Sequence, residues 1–142
     1  MKVRVKQLKL LIVWGILIGF MPQLLGCKME VIPQEERREV SFSIISKECI
    51  PDTLAKLIEE RKEEEMKITY MDQGNRYIIV GYGKQNSGGY SIYIKDLYKT
   101  ENAIYIDTCL MGPKEKKEMQ EIASYPVMVL RISEMGLPVV FQ

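Results

Sequence analysis

The chain has 142 residues, of which 46% are hydrophobic and 27% charged, enough apolar material for one domain with a core. Its formal net charge is +1 and no basic stripe is visible, so we expect no binding to nucleic acid. It contains no histidine, which excludes Ser-His-Asp and Cys-His catalysis and the common histidine-containing zinc sites. The composition therefore predicts a non-enzyme, and no metal or cofactor is expected.

Residues 1–26 have the pattern of an export signal. Four basic residues and no acid occur in the first nine positions, and Leu10–Gly26 is uncharged and apolar. The segment ends in Leu-Leu-Gly-Cys, which resembles the lipobox of bacterial lipoproteins. That resemblance implies cleavage before Cys27 and attachment of a lipid to its thiol. The lipid would hold the protein at the outer side of the bacterial cell membrane.

Two alternatives to a lipoprotein signal are an uncleaved membrane anchor, giving a single-pass membrane protein, and a plain secretory signal. The apolar run Leu10–Met21 is shorter than the roughly 20 residues that a comfortable span needs. Its length fits a signal better than a span, so we favour an exported lipoprotein. Without residues 1–26, 16 basic and 19 acidic residues remain, and any hold on the membrane must come from the N-terminus.

The chain after the signal begins with a polar tether, residues 27–39, followed by a domain over residues 40–142. A weak alternation predicts a first strand at Val40–Ser46. Pro51–Glu65 has the pattern of an amphipathic helix, with Pro in its first turn and one apolar stripe. The run of three glutamates at its end is interpreted as a solvated helix terminus, because it lacks the spacing of a calcium loop.

From Met66 onward the pattern predicts strands. A turn at Gly74-Asn75 separates the first two, a bulge is predicted near Asp96-Leu97, and a hairpin turn follows at residues 100–102. Gly112-Pro113 ends the next strand, and two short strands complete the chain. The sequence thus predicts an α+β domain, a small sandwich-like and mainly antiparallel β-sheet with one packed amphipathic helix.

Two cysteines remain in the domain, Cys49 and Cys109. Outside the cytoplasm they could form a disulfide that closes a long loop. The alternative is that both are small buried hydrophobic residues, and spacing alone does not decide between the two.

The stretch GKQNSGGYSI places two adjacent glycines between two predicted strands. Gly83 and Gly88 have the spacing of a P-loop, but Gly89 stands where that motif needs lysine, and a strand follows instead of a helix. One interpretation is a recognition loop on a rigid sheet, formed by Asn86, Ser87, Gly88, Gly89 and Tyr90. The other, favoured by composition alone, is a turn that needs glycine, with the tyrosine packed inward.

The sequence YIIVGYGKQNSGGYSIYIKDLY, followed by Gly112-Pro113, Tyr125-Pro126 and LPVVF at the C-terminus, resembles the PrcB C-terminal family. The resemblance extends over about Val40–Phe141. In that family a Thr-Gly-Gly-Tyr loop matches Ser87–Tyr90, and the glutamine a few positions before its Tyr-Pro matches Gln120. Asn86-Ser87 stands where the family has Pro-Thr.

The resemblance implies a lipoprotein-like subunit that assembles or stabilises a secreted protease. We therefore expect a non-catalytic accessory or binding module that acts on a protein partner. One alternative is a protease inhibitor that inserts Gln85–Tyr90, since this loop also resembles, over a short stretch, a binding loop of chagasin-like inhibitors. Another is a structural lipoprotein of the cell envelope.

Overall fold

A computed structural model describes most of the predicted domain. The described residues are 33, 36–114 and 122–142. All of them lie in one compact unit, Ile32–Gln142. The predicted export signal, residues 1–26, and the predicted lipidation site Cys27 lie outside the described residues. Within the part that the structure describes, no helix is both long and apolar enough to cross a membrane.

The described chain folds into two four-stranded sheets and one α-helix. In chain order the elements are β1 (Arg38–Glu39), β2 (Ser43–Ile44), a 3-10 helix (Lys47–Cys49), α1 (Asp52–Arg61), β3 (Glu65–Asp72), β4 (Asn75–Tyr82), β5 (Ser91–Lys99), β6 (Ile104–Met111), β7 (Val127–Ser133) and β8 (Val139–Phe141). Sheet A has the order β1-β5-β6-β8, and sheet B has the order β2-β7-β4-β3. All neighbouring strands are antiparallel except β6 and β8, which are parallel. The predicted α+β class, mainly antiparallel with one helix, is confirmed.

Strand β4 lies inside sheet B and is buried on both of its faces. Ile78 and Val80 pack into the core between the two sheets, while Tyr77 and Ile79 pack on the opposite face. That second face is covered by Leu54 of α1. The apolar run Tyr-Ile-Ile-Val in the sequence is continuous because each side of this strand meets a different layer.

Helix α1 begins where the sequence predicts, and it ends earlier than predicted. The carbonyl oxygen of Pro51 accepts the backbone N–H of Ala55 at 2.9 Å, which forms the first turn. The helix ends at Arg61, although the sequence predicted that it continues to Glu65. Glu65 instead begins β3 and pairs with Tyr82 of β4. The glutamates interpreted as a solvated helix end thus belong to a turn and a strand, because the sheet competes for that segment.

Of the predicted first strand, Val40–Ser46, only Ser43–Ile44 forms a strand, β2, and β1 lies wholly before it. β1 pairs with β5 of sheet A and begins at Arg38, inside the segment for which the sequence predicted a tether. β2 pairs with β7 of sheet B. Between them Val40 is 4% exposed and packs in the core between the sheets. The chain therefore crosses from one sheet to the other at this residue.

The predicted turn and bulge are present. Gln73 and Gly74 form a two-residue connection between β3 and β4 with φ of 47° and 76°, as in a type I′ hairpin turn. The register of β5 on β6 shifts between Ile94 and Asp96, one residue before the predicted bulge.

Candidate functional site

The connection from β4 to β5, residues 83–90, carries the chain from sheet B to sheet A. Its first residue, Gly83, has a φ of 68°, which only glycine adopts without strain. A Cβ atom on Gly83 would lie 3.0 Å from the carbonyl oxygen of Glu63 and 3.3 Å from the nitrogen of Glu65. Lys84 donates its backbone N–H to the same Glu63 oxygen at 3.1 Å. The loop thus begins in close contact with the segment between α1 and β3.

The middle of the loop is held by Ser124, which precedes β7. Gln85 and Ser124 form an antiparallel bridge, with N···O distances of 2.8 and 3.1 Å. The Ser124 hydroxyl donates a hydrogen bond to the carbonyl oxygen of Ser87 at 2.6 Å. The side-chain amide of Gln85 donates to the carbonyl oxygen of Tyr82 at 2.9 Å. These four bonds give the loop a defined shape.

The five residues predicted to form a recognition loop differ in exposure. Asn86 and Gly89 are exposed, Tyr90 is half-buried, and Ser87 and Gly88 are buried. Gly89 has a φ of 84°, so this position favours glycine for its conformation. Asn86 and Gly89 are thus accessible to a partner, while Ser87 and Gly88 shape the loop from within.

Three of the short motifs of the sequence resemblance lie near one another at this end of the molecule, whereas the fourth, LPVVF, contains β8, which lies beside Ile104–Ile106. A Cβ atom on Gly112, in the Gly-Pro motif, would lie 3.4 Å from the ring of Tyr90 in the Gly-Gly-Tyr motif. Pro126, in the Tyr-Pro motif, accepts the backbone N–H of Tyr82 at 3.1 Å, directly before the loop. These motifs are far apart in the sequence, and the crossing between the two sheets brings them together.

One exposed apolar side chain belongs to the short segment that leads to Ser124. Ile122 is 73% exposed and stands two positions before Ser124, the residue that holds the loop. Asn86, Gly89 and Ile122 together are called the loop surface below. It offers an amide, accessible backbone and an apolar side chain, and Lys84, exposed two positions before Asn86, adds a positive charge to the same loop. Mixed surfaces of this kind suit contact with another protein.

The loop surface has no ionisable group that could carry acid–base chemistry. Shifted pKa values occur elsewhere: the hydrogen bond with Glu59 raises the pKa of Lys62, and the hydrogen bond with Asp107 raises the pKa of Lys95. Both are surface ion pairs. In residues 36–114 and 122–142, no three acidic or cysteine side chains lie close enough to hold a metal ion.

The two cysteines of the domain are free thiols in this structure. Cys49 is exposed at the end of the 3-10 helix, and Cys109 is half-buried on β6. Cys49 is therefore not a buried small hydrophobic residue, which was one of the two interpretations of the sequence.

Sequence reasoning did not identify Ser124 or Ile122 as part of the site. The bridge between Ser124 and Gln85 joins residues that are far apart in the chain, and no local pattern indicates such a pair. The neighbouring Tyr-Pro motif was the available signal, since it marked this segment as similar to a family. Gln120, which the resemblance also matched, lies outside the described residues.

Comparison with known proteins identifies the segment that forms this site. Residues 76–133 match the model of a family described as PrcB C-terminal. The match begins in β4 and ends in β7, so it includes the whole loop surface, whereas α1 and β3 lie outside it. No curated protein and no solved structure gives a significant match to the chain. Residues 76–133 of this chain are therefore similar to the PrcB C-terminal family.

Proposed function

We propose that this chain is an exported lipoprotein, anchored to the membrane through Cys27, whose PrcB C-terminal domain binds a protein partner without catalysing a reaction. The partner is a secreted protease, which the bound domain stabilises. The observation that carries the proposal is that three of the family motifs contact one another at the two ends of the loop, inside the segment that matches the family.

The hydrogen bonds of the loop favour an accessory role over inhibition. An inhibitor that inserts residues 85–90 into an active site needs that segment to project from the domain. Gln85 is instead bridged to Ser124, and Ser87 is 8% exposed. The accessible part is the surface around Asn86 and Gly89. Such a surface suits a partner that docks on the domain better than it suits insertion into a narrow active-site cleft.

The first test is capture of the partner from native membranes by the full-length chain carrying a tag after Gln142, followed by mass spectrometry. We expect a protease to co-purify and to survive longer with the chain than without it. The same spectra give the mass of the peptide that contains Cys27. An unmodified thiol there would contradict the lipid anchor without affecting the binding proposal.

Substitutions then locate the binding surface. Asn86→Arg and Ile122→Arg each place a bulky charge on the loop surface, and we expect at least tenfold less captured protease. Asn102→Arg is the matched control, because Asn102 is also an exposed loop asparagine but lies at the opposite end of β5. Equal capture by all three variants would show that the partner binds elsewhere on the domain.

The activity of the captured complex separates the three functions. An accessory subunit lengthens the lifetime of the protease and leaves its turnover intact. If the complex is less active than the protease alone, the chain is an inhibitor. If no protease co-purifies and deletion of the chain leaves protease activity unchanged, the chain is a structural envelope lipoprotein.

A further inference from the structure

Strand β3 forms a long open edge of sheet B. It has eight residues, whereas the other edge strands, β1, β2 and β8, have two, two and three. Natural proteins protect sheet edges with short strands, bulges or prolines, because an open edge presents unpaired backbone groups. β3 has no proline, and its register with β4 is unbroken from Glu65 to Asp72. In the described part of the chain no strand pairs with its outer side.

The hairpin fixes which backbone groups of β3 point outward. A two-residue turn closes on a hydrogen-bonded pair, here Asp72 with Asn75, and such pairs alternate along an antiparallel ladder. The residues that direct N–H and C=O away from β4 are therefore Glu65, Lys67, Thr69 and Met71. Tyr82 supports this phase, because it lies opposite Glu65 and donates its N–H to Pro126 on the far side of β4. The four outward residues are all exposed.

We propose that β3 pairs antiparallel with β3 of a second copy of this chain, with the two-fold axis at Ile68. Among the antiparallel registers, this is the one that pairs all four outward residues with outward residues of the other copy. Glu65 then lies opposite Met71, and Lys67 lies opposite Thr69. The two four-stranded B sheets join into one continuous sheet.

The side chains of β3 are complementary to themselves in this register. On the face that carries α1, Ile68 meets its own copy and Met66 meets Tyr70, so the three central cross-strand pairs are apolar. Asp72 at the end of β3 lies opposite Glu64, just before the strand begins. Ile68 and Tyr70 are only half-buried in the single chain, and the second copy covers their open side. Aromatic and β-branched cross-strand pairs of this kind stabilise antiparallel sheets.

The opposite face of β3 contains no like-charged pair in this register. Lys67 lies 3.7 Å from Glu65 of its own strand, and Thr69 of the second copy lies opposite it. An edge lysine commonly discourages pairing, but here its charge has a partner within the strand. Met71, which is 62% exposed, gains cover from the strand of the second copy.

A disulfide across the axis tests the register. The full-length chain with Cys49→Ser and Cys109→Ser receives Ile68→Cys and is oxidised in mild detergent. Non-hydrogen-bonded antiparallel partners have Cα atoms about 4.5 Å apart, within the range that a disulfide spans. We expect a covalent dimer from Ile68→Cys and little from the control Thr69→Cys, whose position lies opposite Lys67. No dimer from Ile68→Cys, or equal amounts from both variants, would overturn the proposed register.

A pair of charge variants tests the interface, and because Met71 also contacts Arg76 at 3.6 Å, the melting temperature of each variant is measured beside it. Met71 is exposed and lies opposite Glu65 of the second copy, so Met71→Lys creates an ion pair and Met71→Glu a repulsion. Sedimentation equilibrium of the full-length chain should show Met71→Lys dimerising roughly fivefold or more tightly than Met71→Glu. Equal dimerisation of the two variants, or a monomeric wild-type chain, would contradict the proposal.

A third variant separates loss of the interface from loss of the fold. Thr69→Pro removes an outward N–H donor and leaves the ladder to β4 intact, because Thr69 does not donate to β4. We expect a monomer that still melts cooperatively and still captures its partner through the loop surface. A Thr69→Pro chain that remains dimeric would show that the two copies meet elsewhere. The oligomeric state of this variant is independent of the proposed function.

Discussion

The two glycine-containing connections at the ends of β4 differ in what they require of glycine. Gly74 precedes the strand and Gly83 follows it, with φ of 76° and 68°. A Cβ atom on Gly74 would have no neighbour within 4 Å, whereas one on Gly83 would lie 3.0 Å from a backbone oxygen. The first glycine thus serves conformation alone, and the second also permits two segments of backbone to approach. Only the need for a left-handed backbone can be predicted from neighbouring residues, because the close approach at Gly83 involves a distant segment.

The two ends also differ in what holds them. Near Gly74, the guanidinium of Arg76 donates two hydrogen bonds of 2.7 Å to the Glu134 carboxylate, which is an ionisable contact. Around Gly83, the contacts are hydrogen bonds of the backbone and of neutral side chains. The stability of the first end should therefore depend on pH. The stability of the second should depend on whether a substituted side chain fits.

The largest loss of folding stability is expected from Gly83→Ala. The left-handed backbone costs an alanine about 1–2 kcal/mol, and overlap with rigid backbone atoms adds a similar amount, so we expect a loss of about 3 kcal/mol. Gly74→Ala is the matched control, with strain but no overlap, and should cost about 1 kcal/mol. Urea unfolding of both variants measures the difference. Equal losses would mean that the contact with Glu63 does not constrain the loop.

Glu134→Gln is expected to lower the free energy of unfolding by about 2 kcal/mol at neutral pH, because the largely buried guanidinium of Arg76 loses its charged acceptor. Arg76 also donates to the carbonyl oxygen of Leu137, so the guanidinium keeps one partner in the variant. The control is Asp107→Asn on sheet A, which breaks a more exposed ion pair with Lys95 and should cost under about 1 kcal/mol. Equal losses would show that the Gly74 end does not depend on this contact.

The same residue makes the Gly74 end sensitive to acid. Burial raises the pKa of Glu134, but the backbone N–H of Gly136 and the guanidinium of Arg76 outweigh burial and hold the pKa below its ordinary value of 4.5. A depressed pKa means that the stabilisation is complete above 4.5 and is lost as the pH falls through the folded-state value. Unfolding from pH 7 to 3 should therefore show less acid destabilisation in Glu134→Gln than in wild type. Parallel curves would contradict this assignment.

The elements that local patterns specify were predictable from the sequence. The hairpin at Gln73-Gly74, the bulge before Asp96 and the start of α1 all depend on neighbouring residues, and the structure contains each of them. The end of α1 was predicted too late, because the pairing of Glu65 with Tyr82 decides it. Competition between a helix and a distant strand is a tertiary effect, which propensity alone does not contain.

The candidate site was predictable only in part, for the same reason. The paired glycines and Tyr90 identified the loop, but the sequence could not show that Ser87 is buried while Asn86 is exposed. Ser124 contacts the loop at Gln85 and Ser87, although it is far from both in the chain. A residue that acts through a distant partner gives no periodic or motif signal of its own.

The smallest effect is expected from Ser124→Ala, and it tests whether the Gly83 end is held mainly by backbone. The hydroxyl contributes one hydrogen bond of 2.6 Å to Ser87, while the backbone bridge to Gln85 does not need it. We expect a loss of about 1 kcal/mol by urea unfolding, against almost none for Ser133→Ala, an exposed serine on β7. Capture of the partner should weaken several-fold, because the bond positions Asn86. A loss as large as that of Gly83→Ala would mean that the serine hydroxyl, and not the backbone, determines the shape of the loop.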